Sequence, residues 1–406
     1  MSSNETSGAS MLRSRARTLS NPRDIQEPFL LIDPGNHPDS HFQKRMSPIR
    51  YAIRSHLVQF TTTQSGKLAK WQSKHRTPLL DVFFSYTAIM GSHTFYVVCL
   101  PMPVWLGQYE VTKDLVYILG YSIYLSGFFK DFCCLPRPRA PPLHRITLSK
   151  YTEKEYGAPS SHCANATGVT LYVIWRLFQN GTFSWFWKLV ALALVSFYYF
   201  TLVIGRVYCG MHGMLDLISG AIIGVICMVG TILLKYFLKY VPYETYWWFP
   251  LWSVLWGLFL LFYHIEPVDE CPCFADSVAF IGVVVGLELG DWTMHRWNWA
   301  GVYEIYYSGL VNCLGKFVVG VTCVVIWKYL LSKPIVYWIL INVFKISDDR
   351  KENSKELEKR IKQNDKECPL FVGFPKIDII GRYIIYAGIP LTVLLVTPKA
   401  ISLCGL

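Results

Sequence analysis

Nine long apolar runs, parted by short polar stretches, leave this chain few places to fold other than a lipid bilayer. A membrane-crossing helix needs roughly 17–25 mostly apolar residues. Candidates cover about 82–106, 112–130, 160–178, 185–204, 214–238, 247–264, 276–290, 314–333 and 379–397. Trp185, Trp187, Tyr246, Trp247, Trp248, Trp292, Trp297 and Trp299 gather at their ends, as an interfacial aromatic belt requires. Only 17% of the 406 residues are charged and 52% are hydrophobic, which excludes a disordered chain. Twelve cysteines over this length are too sparse for a disulfide-stapled scaffold. The expected fold class is all-α, a polytopic transmembrane helix bundle of about nine spans.

Charge divides the chain into three parts. Residues 1–80 hold twelve Lys/Arg and five Asp/Glu, giving +7 of the total +11. This stretch is rich in Ser, Asn and Pro and reads as a basic, mostly irregular polar tail. Such a tail suits an anionic membrane surface or a nucleic acid. The apolar runs that follow favour the membrane, so no nucleic-acid partner is expected. The first 50 residues show no apolar core of a secretory signal, and the ending LCGL matches neither a prenylation nor a luminal retention signal. Insertion is therefore expected to use the first span. Residues 81–240 carry three unusually polar patches, and 241–406 add further spans with a mixed-charge, partly helical loop at 345–367.

The first patch, Lys130 to Pro138, has the spacing K-x6-R-P and places Lys130 at a span end and Arg137 in the loop beyond it. The second, Gly157 to Gly168, opens a helix with Pro159 in its first turn. The N–H groups of Ser160, Ser161 and His162 would then face an anion. The third, Gly205 to Asp216, sets His212 and Asp216 four residues apart, so that on a helix the carboxylate can hold one imidazole nitrogen and present the other. Each patch alone has an ordinary reading: a basic juxtamembrane loop, a Ser-rich cap, a His–Asp cap. Two spans separate Arg137 from Arg206, and an even number of crossings returns the chain to one face, where the three can meet. Together they supply three cations, a helix N-terminus and two histidines. That set matches a phosphate monoester dianion, with one histidine to attack phosphorus and one to protonate the departing oxygen. The cations do the neutralising that a divalent metal would otherwise do, so neither metal nor cofactor is expected.

In this order the motifs resemble the three-part signature of the type 2 phosphatidic acid phosphatase and haloperoxidase superfamily. They read Lys130…Arg137-Pro138, then Pro159-Ser160-Ser161-His162, then Gly205-Arg206…His212…Asp216. Ser161 stands where Gly is usual and Gly205 where Ser is usual; the second change removes a hydroxyl that Ser161 could replace. The flanks RARTLSNP, LLIDPGNHP, MGSHTFYVVCLPMPVW, LPRPRAPPLHRITLS and VDECPCFADSVAF resemble the yeast dihydrosphingosine-1-phosphate (long-chain base phosphate) phosphatases over nearly the whole chain. The resemblance implies a phosphatase core within 81–240. It also implies a metal-independent enzyme of the endoplasmic reticulum membrane that hydrolyses sphingoid base 1-phosphates within the bilayer, with its site on the lumenal side. In it His212 would be the nucleophile, Asp216 its orienting partner and His162 the proton donor. Lys130, Arg137, Ser160, Arg206 and the Ser161 backbone would hold the phosphoryl oxygens.

The basic N-terminal segment argues for a cytosolic site face instead. Sequons at Asn4, Asn165 and Asn180 offer a test of the face. Cys271 and Cys273, beside Asp269 and Glu270, fall short of a zinc pattern and read as a loop disulfide or inert thiols. Glu288, inside a span, would by default mark function, although a helix-end role fits equally. His93 and His264 read as interfacial or packed. Thr18 and Ser20 follow basic residues and could be phosphorylated. Competing functions are a broader lipid phosphate phosphatase, a phosphoryl transferase and a transporter.

Overall fold

The computed structural model describes residues 33–179, 181, 184–299, 302, 305–363 and 368–406. Thr18, Ser20, Asn4 and Asn180, and with the last two the sequons they carry, lie outside the described residues, as does the side chain of His93.

The segment expected to be irregular is mostly helical where it is described. Ser47 accepts a hydrogen bond from the Arg50 amide and Pro48 fills the first turn, starting α1 (Pro48–Thr63); α2 (Ser65–His75) follows. The many Lys and Arg residues disguise a helix face that buries Arg54, Thr61 and Gln72.

Every apolar run forms helix. Thr77 caps α3 (Pro78–Thr87), a 3-10 turn spans Ala88–Gly91, and α4 (His93–Cys99) leads to the short helix Met102–Trp105. This first run is bent by 57° between Pro78–Gly91 and Thr94–Trp105. There follow α5 (Tyr109–Cys133), α6 (Ser161–Gln179), α7 (Trp185–Tyr208), α8 (Met214–Leu238) and α9 (Phe249–Phe262). The last third holds α10 (Cys273–Arg296), α11 (Leu310–Val325), α12 (Ser332–Asn342), the polar α13 (Arg350–Gln363), α14 (Lys376–Leu391) and α15 (Thr397–Leu403). One π-turn joins α11 to α12 and another joins α14 to α15. By length and composition five helical stretches can cross a membrane, six if the bent pair counts as one. This makes the chain a membrane protein without confirming the expected nine spans. α5 and α6 carry polar residues and α9 has only 14, which keeps all three below that standard.

α10 is the central strut, buried on most sides against α5 and α14. Small residues allow the closest seams, as in bilayer packing generally. A Cβ at Gly286 would stand 2.0 Å from the Ala387 carbonyl oxygen, and one at Gly224 of α8 would stand 2.3 Å from that of Ala164 in α6. One end of the bundle is roofed by loops from distant parts of the chain. The Gly35 amide donates to Asp269 (2.8 Å) and His41 contacts the same carboxylate (2.8 Å). An isolated bridge joins Asp269 to Leu370. Gln72 donates to the carbonyls of His144 (2.8 Å) and Tyr208 (2.7 Å). All three polar motifs open under this roof.

Candidate active site

Lys130 occupies the last turn of α5. That helix stops at Cys134, which takes a left-handed conformation (φ 48°). Arg50 of α1 caps the end by donating to the carbonyls of Asp131, Phe132 (2.7 Å) and Glu266 (3.1 Å). Lys130 is buried and paired with Glu155. Sequence reasoning missed Glu155; it lies outside all three spaced motifs and only its nearness to Gly157 hints at it.

Arg137 is held on every side. It donates to the carbonyls of Met211 (2.7 Å), Thr152 (2.8 Å) and Glu155 (2.9 Å), and its guanidinium lies 3.7 Å from the Glu155 carboxylate. Burial lowers its pKa to about 10 against the pull of Glu155, so it stays charged at neutral pH.

The second motif departs from expectation in detail. α6 begins at Ser161, leaving Pro159 two residues ahead of the helix rather than in its first turn. The reason is a tie between motifs. The Ser160 amide donates to the Asp216 carbonyl (2.9 Å), so that N–H does not face an anion. The buried Ser160 hydroxyl accepts from the Cys163 amide (3.4 Å) and caps the helix. Ser161 and His162 line the cavity described below. The His162 ring is backed by Gly91, where a Cβ would stand 2.3 Å from Cδ2.

The third motif turns sharply after α7. Gly210 takes φ +64°, and a Cβ there would lie 2.7 Å from the His144 carbonyl oxygen. The amides of Met211 and His212 both donate back to the Arg206 carbonyl (3.0 and 3.3 Å). Asp216 in the first turn of α8 accepts from the Gly213 amide (2.8 Å) and faces His212 Nδ1 at 3.3 Å with the same oxygen. On the other side of the ring, Arg137 Nη1 stands 3.2 Å from Nε2. Guanidinium can only donate, so Nε2 accepts and Nδ1 carries the proton toward Asp216. Burial, and after it the charges of Arg137, Lys130 and Arg206, push the His212 pKa well below the usual histidine value. The ring is therefore neutral, with its lone pair on Nε2.

Arg206, on the last turn of α7, is buried, and its guanidinium makes no hydrogen bond or ion pair with any described residue. A buried guanidinium without protein acceptors is costly unless an anion completes it. It faces a cavity of about 340 Å³, whose lining includes Lys130, Glu155, Ser161, His162, Asn165 and Asp276. Arg137, His212, Asp216 and Ser160 form the buried layer directly behind that lining. The eight residues expected from sequence thus converge at one end of the bundle: Lys130, Ser161, His162 and Arg206 share the cavity wall, and Arg137, His212, Asp216 and Ser160 are linked to one another by hydrogen bonds. Asn165 is buried on α6, so its sequon cannot carry a glycan.

Other polar groups have structural partners. Cys271 and Cys273 are joined as a disulfide beside Asp131. His37, His41 and Asp269 lie close enough to share a metal, but their contacts fasten the roof. The two rings stack at 4.1 Å, His37 contacts the Cys368 carbonyl (3.0 Å) and His41 the carboxylate. Glu288 accepts from Tyr117 (3.2 Å) and Ser253 inside the bundle, far along α10 from the site.

The family model described as PAP2 superfamily matches residues 112–240, which contain all eight site residues, and the class of enzyme is a PAP2-type phosphatase. Dihydrosphingosine 1-phosphate phosphatase YSR3 of Saccharomyces cerevisiae is 53% identical over 369 residues, 91% of each chain. Dihydrosphingosine 1-phosphate phosphatase C823.11 of Schizosaccharomyces pombe is 33% identical over 73% of this chain and 72% of its own. Lipid phosphate phosphatase delta of Arabidopsis thaliana is 28% identical over 66% of this chain and 65% of its own. The chain belongs to the dihydrosphingosine 1-phosphate phosphatase family within the PAP2 superfamily, a family of phosphoric monoester hydrolases. No solved structure matches it.

Proposed function

We propose that this enzyme hydrolyses sphingoid base 1-phosphates, dihydrosphingosine and phytosphingosine 1-phosphate, to the free base and phosphate. The observation that carries the reading is the buried Arg206, whose guanidinium has no acceptor among the described residues and faces the same cavity as Lys130 and His162. The names of the two yeast relatives supply the substrate class.

In this mechanism the phosphate enters among Lys130, Arg206 and the N-terminus of α6, with the Ser161 amide and the Ser160 turn beside it. Arg137 swings from Nε2 of His212 to a phosphoryl oxygen, which uncovers the lone pair. His212 Nε2 attacks phosphorus, and the bond to the lipid C1 oxygen breaks. His162 gives that oxygen a proton. Asp216 stabilises the charge that develops on the His212 ring. Water then attacks the phospho-histidine, losing its proton to His162, and phosphate leaves. No step calls on a metal ion, because the guanidinium and ammonium groups meet the phosphoryl charge. The tail stays in the bilayer, and the site face lies in the lumen of the endoplasmic reticulum. The three-part organisation follows from this: a basic N-terminal segment over 1–80, a phosphatase core over 81–240, and supporting spans with a polar loop over 241–406.

The test is a substrate panel on purified protein. Phosphorylated sphingoid bases should be turned over in preference to phosphatidic and lysophosphatidic acids, and His212→Ala should abolish phosphate release in a folded protein. Equal turnover of all three classes would refute the sphingoid-base assignment. Release that survives His212→Ala would refute the mechanism.

A further inference from the structure

We infer that Asp276, at the start of α10, reads the substrate's ammonium group and so sets the preference for sphingoid bases over other lipid phosphates. This rests on the proposed function and deepens it.

A sphingoid base 1-phosphate is a zwitterion. Its ammonium sits on C2, one carbon from the phosphorylated C1, so a pocket that grips the phosphate with cations must offer an anion close by. Two carboxylates line the cavity, Glu155 and Asp276. Glu155 is engaged by Lys130 and Arg137, on the phosphate side. Asp276, in the first turn of α10, lines the cavity together with Lys130 and Arg206. Its placement is set by a tight helix seam: a Cβ at Gly127 of α5 would stand 2.4 Å from Ser277 Oγ and 3.5 Å from the Cys273 carbonyl oxygen. That contact lies one helical turn before Lys130, so the first turn of α10 is laid beside the cation that meets the phosphate. Gly127, Lys130, Cys273 and Asp276 all line the same cavity.

The origin of Asp276 in the chain adds weight. The match to the PAP2 superfamily ends at residue 240, and α10 lies beyond it. The chemistry common to the superfamily thus comes from the core, whereas this carboxylate comes from the added spans. An acidic residue in the first turn also favours a helix through its dipole, whatever the substrate. A purely structural role would weaken turnover of every substrate alike, and this separates the two readings.

The experiment compares dihydrosphingosine 1-phosphate with octadecyl phosphate, which has the same chain and phosphate but no ammonium. Phosphate release by the purified full-length protein is measured in mixed micelles. In Asp276→Asn the ratio of kcat/KM for the two should fall about tenfold to a hundredfold, the effect of losing one charge-assisted hydrogen bond. Asp276→Glu should restore most of that ratio. Turnover of octadecyl phosphate by Asp276→Asn reports that the variant is folded. An unchanged ratio in Asp276→Asn overturns the inference while the wild-type preference keeps the proposed function standing. Equal loss on both substrates, unrelieved by Asp276→Glu, also overturns it. A wild-type protein with no preference between the two overturns the sphingoid-base reading together with the inference.

Discussion

At the scale of single residues, the site sets the cations Lys130, Arg137 and Arg206 against the carboxylates of Glu155, Asp216 and Asp276 before any phosphate arrives. Glu155 is the member that spacing rules could not reveal, because its partners Lys130 and Arg137 are 25 and 18 residues upstream in a loop of its own. Glu155→Gln leaves those buried cations uncompensated, which costs stability. The melting temperature should therefore fall, and vanadate, as a phosphate mimic, should raise it more in the variant than in the wild type. An equal shift in both proteins would argue that the anion does not sit at Lys130. His212 gives a second expectation. Its folded pKa lies well below the ordinary 6.5, so below about pH 6.5 the unfolded chain binds a proton that the folded one refuses. Stability then drops on acidification, by up to about 1.4 kcal/mol per pH unit from this group, until the folded pKa is reached. Thermal unfolding followed between pH 7.5 and 5.5 should show a shallower slope for His212→Gln.

At the scale of elements, apolar runs were plain in the sequence, and each did form helix. What stayed hidden was the role of α1 and α2. Their charge reads as a solvated tail, yet Arg50 caps α5 and Gln72 bridges two loops. Such contacts join residues 72 to 216 positions apart, and no local pattern encodes them. The start of α6 was misplaced for a similar reason, since the tie from Ser160 to Asp216 decides where the helix begins. Arg50→Met should remove charge-assisted hydrogen bonds worth about 1.5–3 kcal/mol each at most. We expect a lower melting temperature and a lower kcat, through the loosened end that carries Lys130, with little change in detergent-solubilised yield. Normal kcat in Arg50→Met would mean that α5 ends correctly without the cap.

At the scale of the whole molecule, the motif order in the sequence was enough to predict convergence on one face, because parity of crossings is a global property. The face itself was not legible, since the cations of the site and those of the N-terminal segment pull the charge rule in opposite directions. α13 offers a way in. Arg360 donates to the carbonyls of Leu370 and Phe371, and Leu370 pairs with Asp269, so this polar helix belongs to the roof over the site. A glycosylation sequon introduced on its exposed surface should be modified if the site is lumenal. A protein that remains unmodified there, yet is glycosylated at a sequon introduced between α9 and α8 on the far side, would put catalysis in the cytosol.

The cavity wall is assembled from segments made at very different times. Ser85 to Thr94 come before the segment that matches the PAP2 superfamily, and Cys273 and Asp276 come well after it. A ribosome that has just finished α8 has therefore delivered every group that handles phosphorus, but no enclosed pocket to use it in. Activity should appear only once the later helices have entered the bilayer and docked.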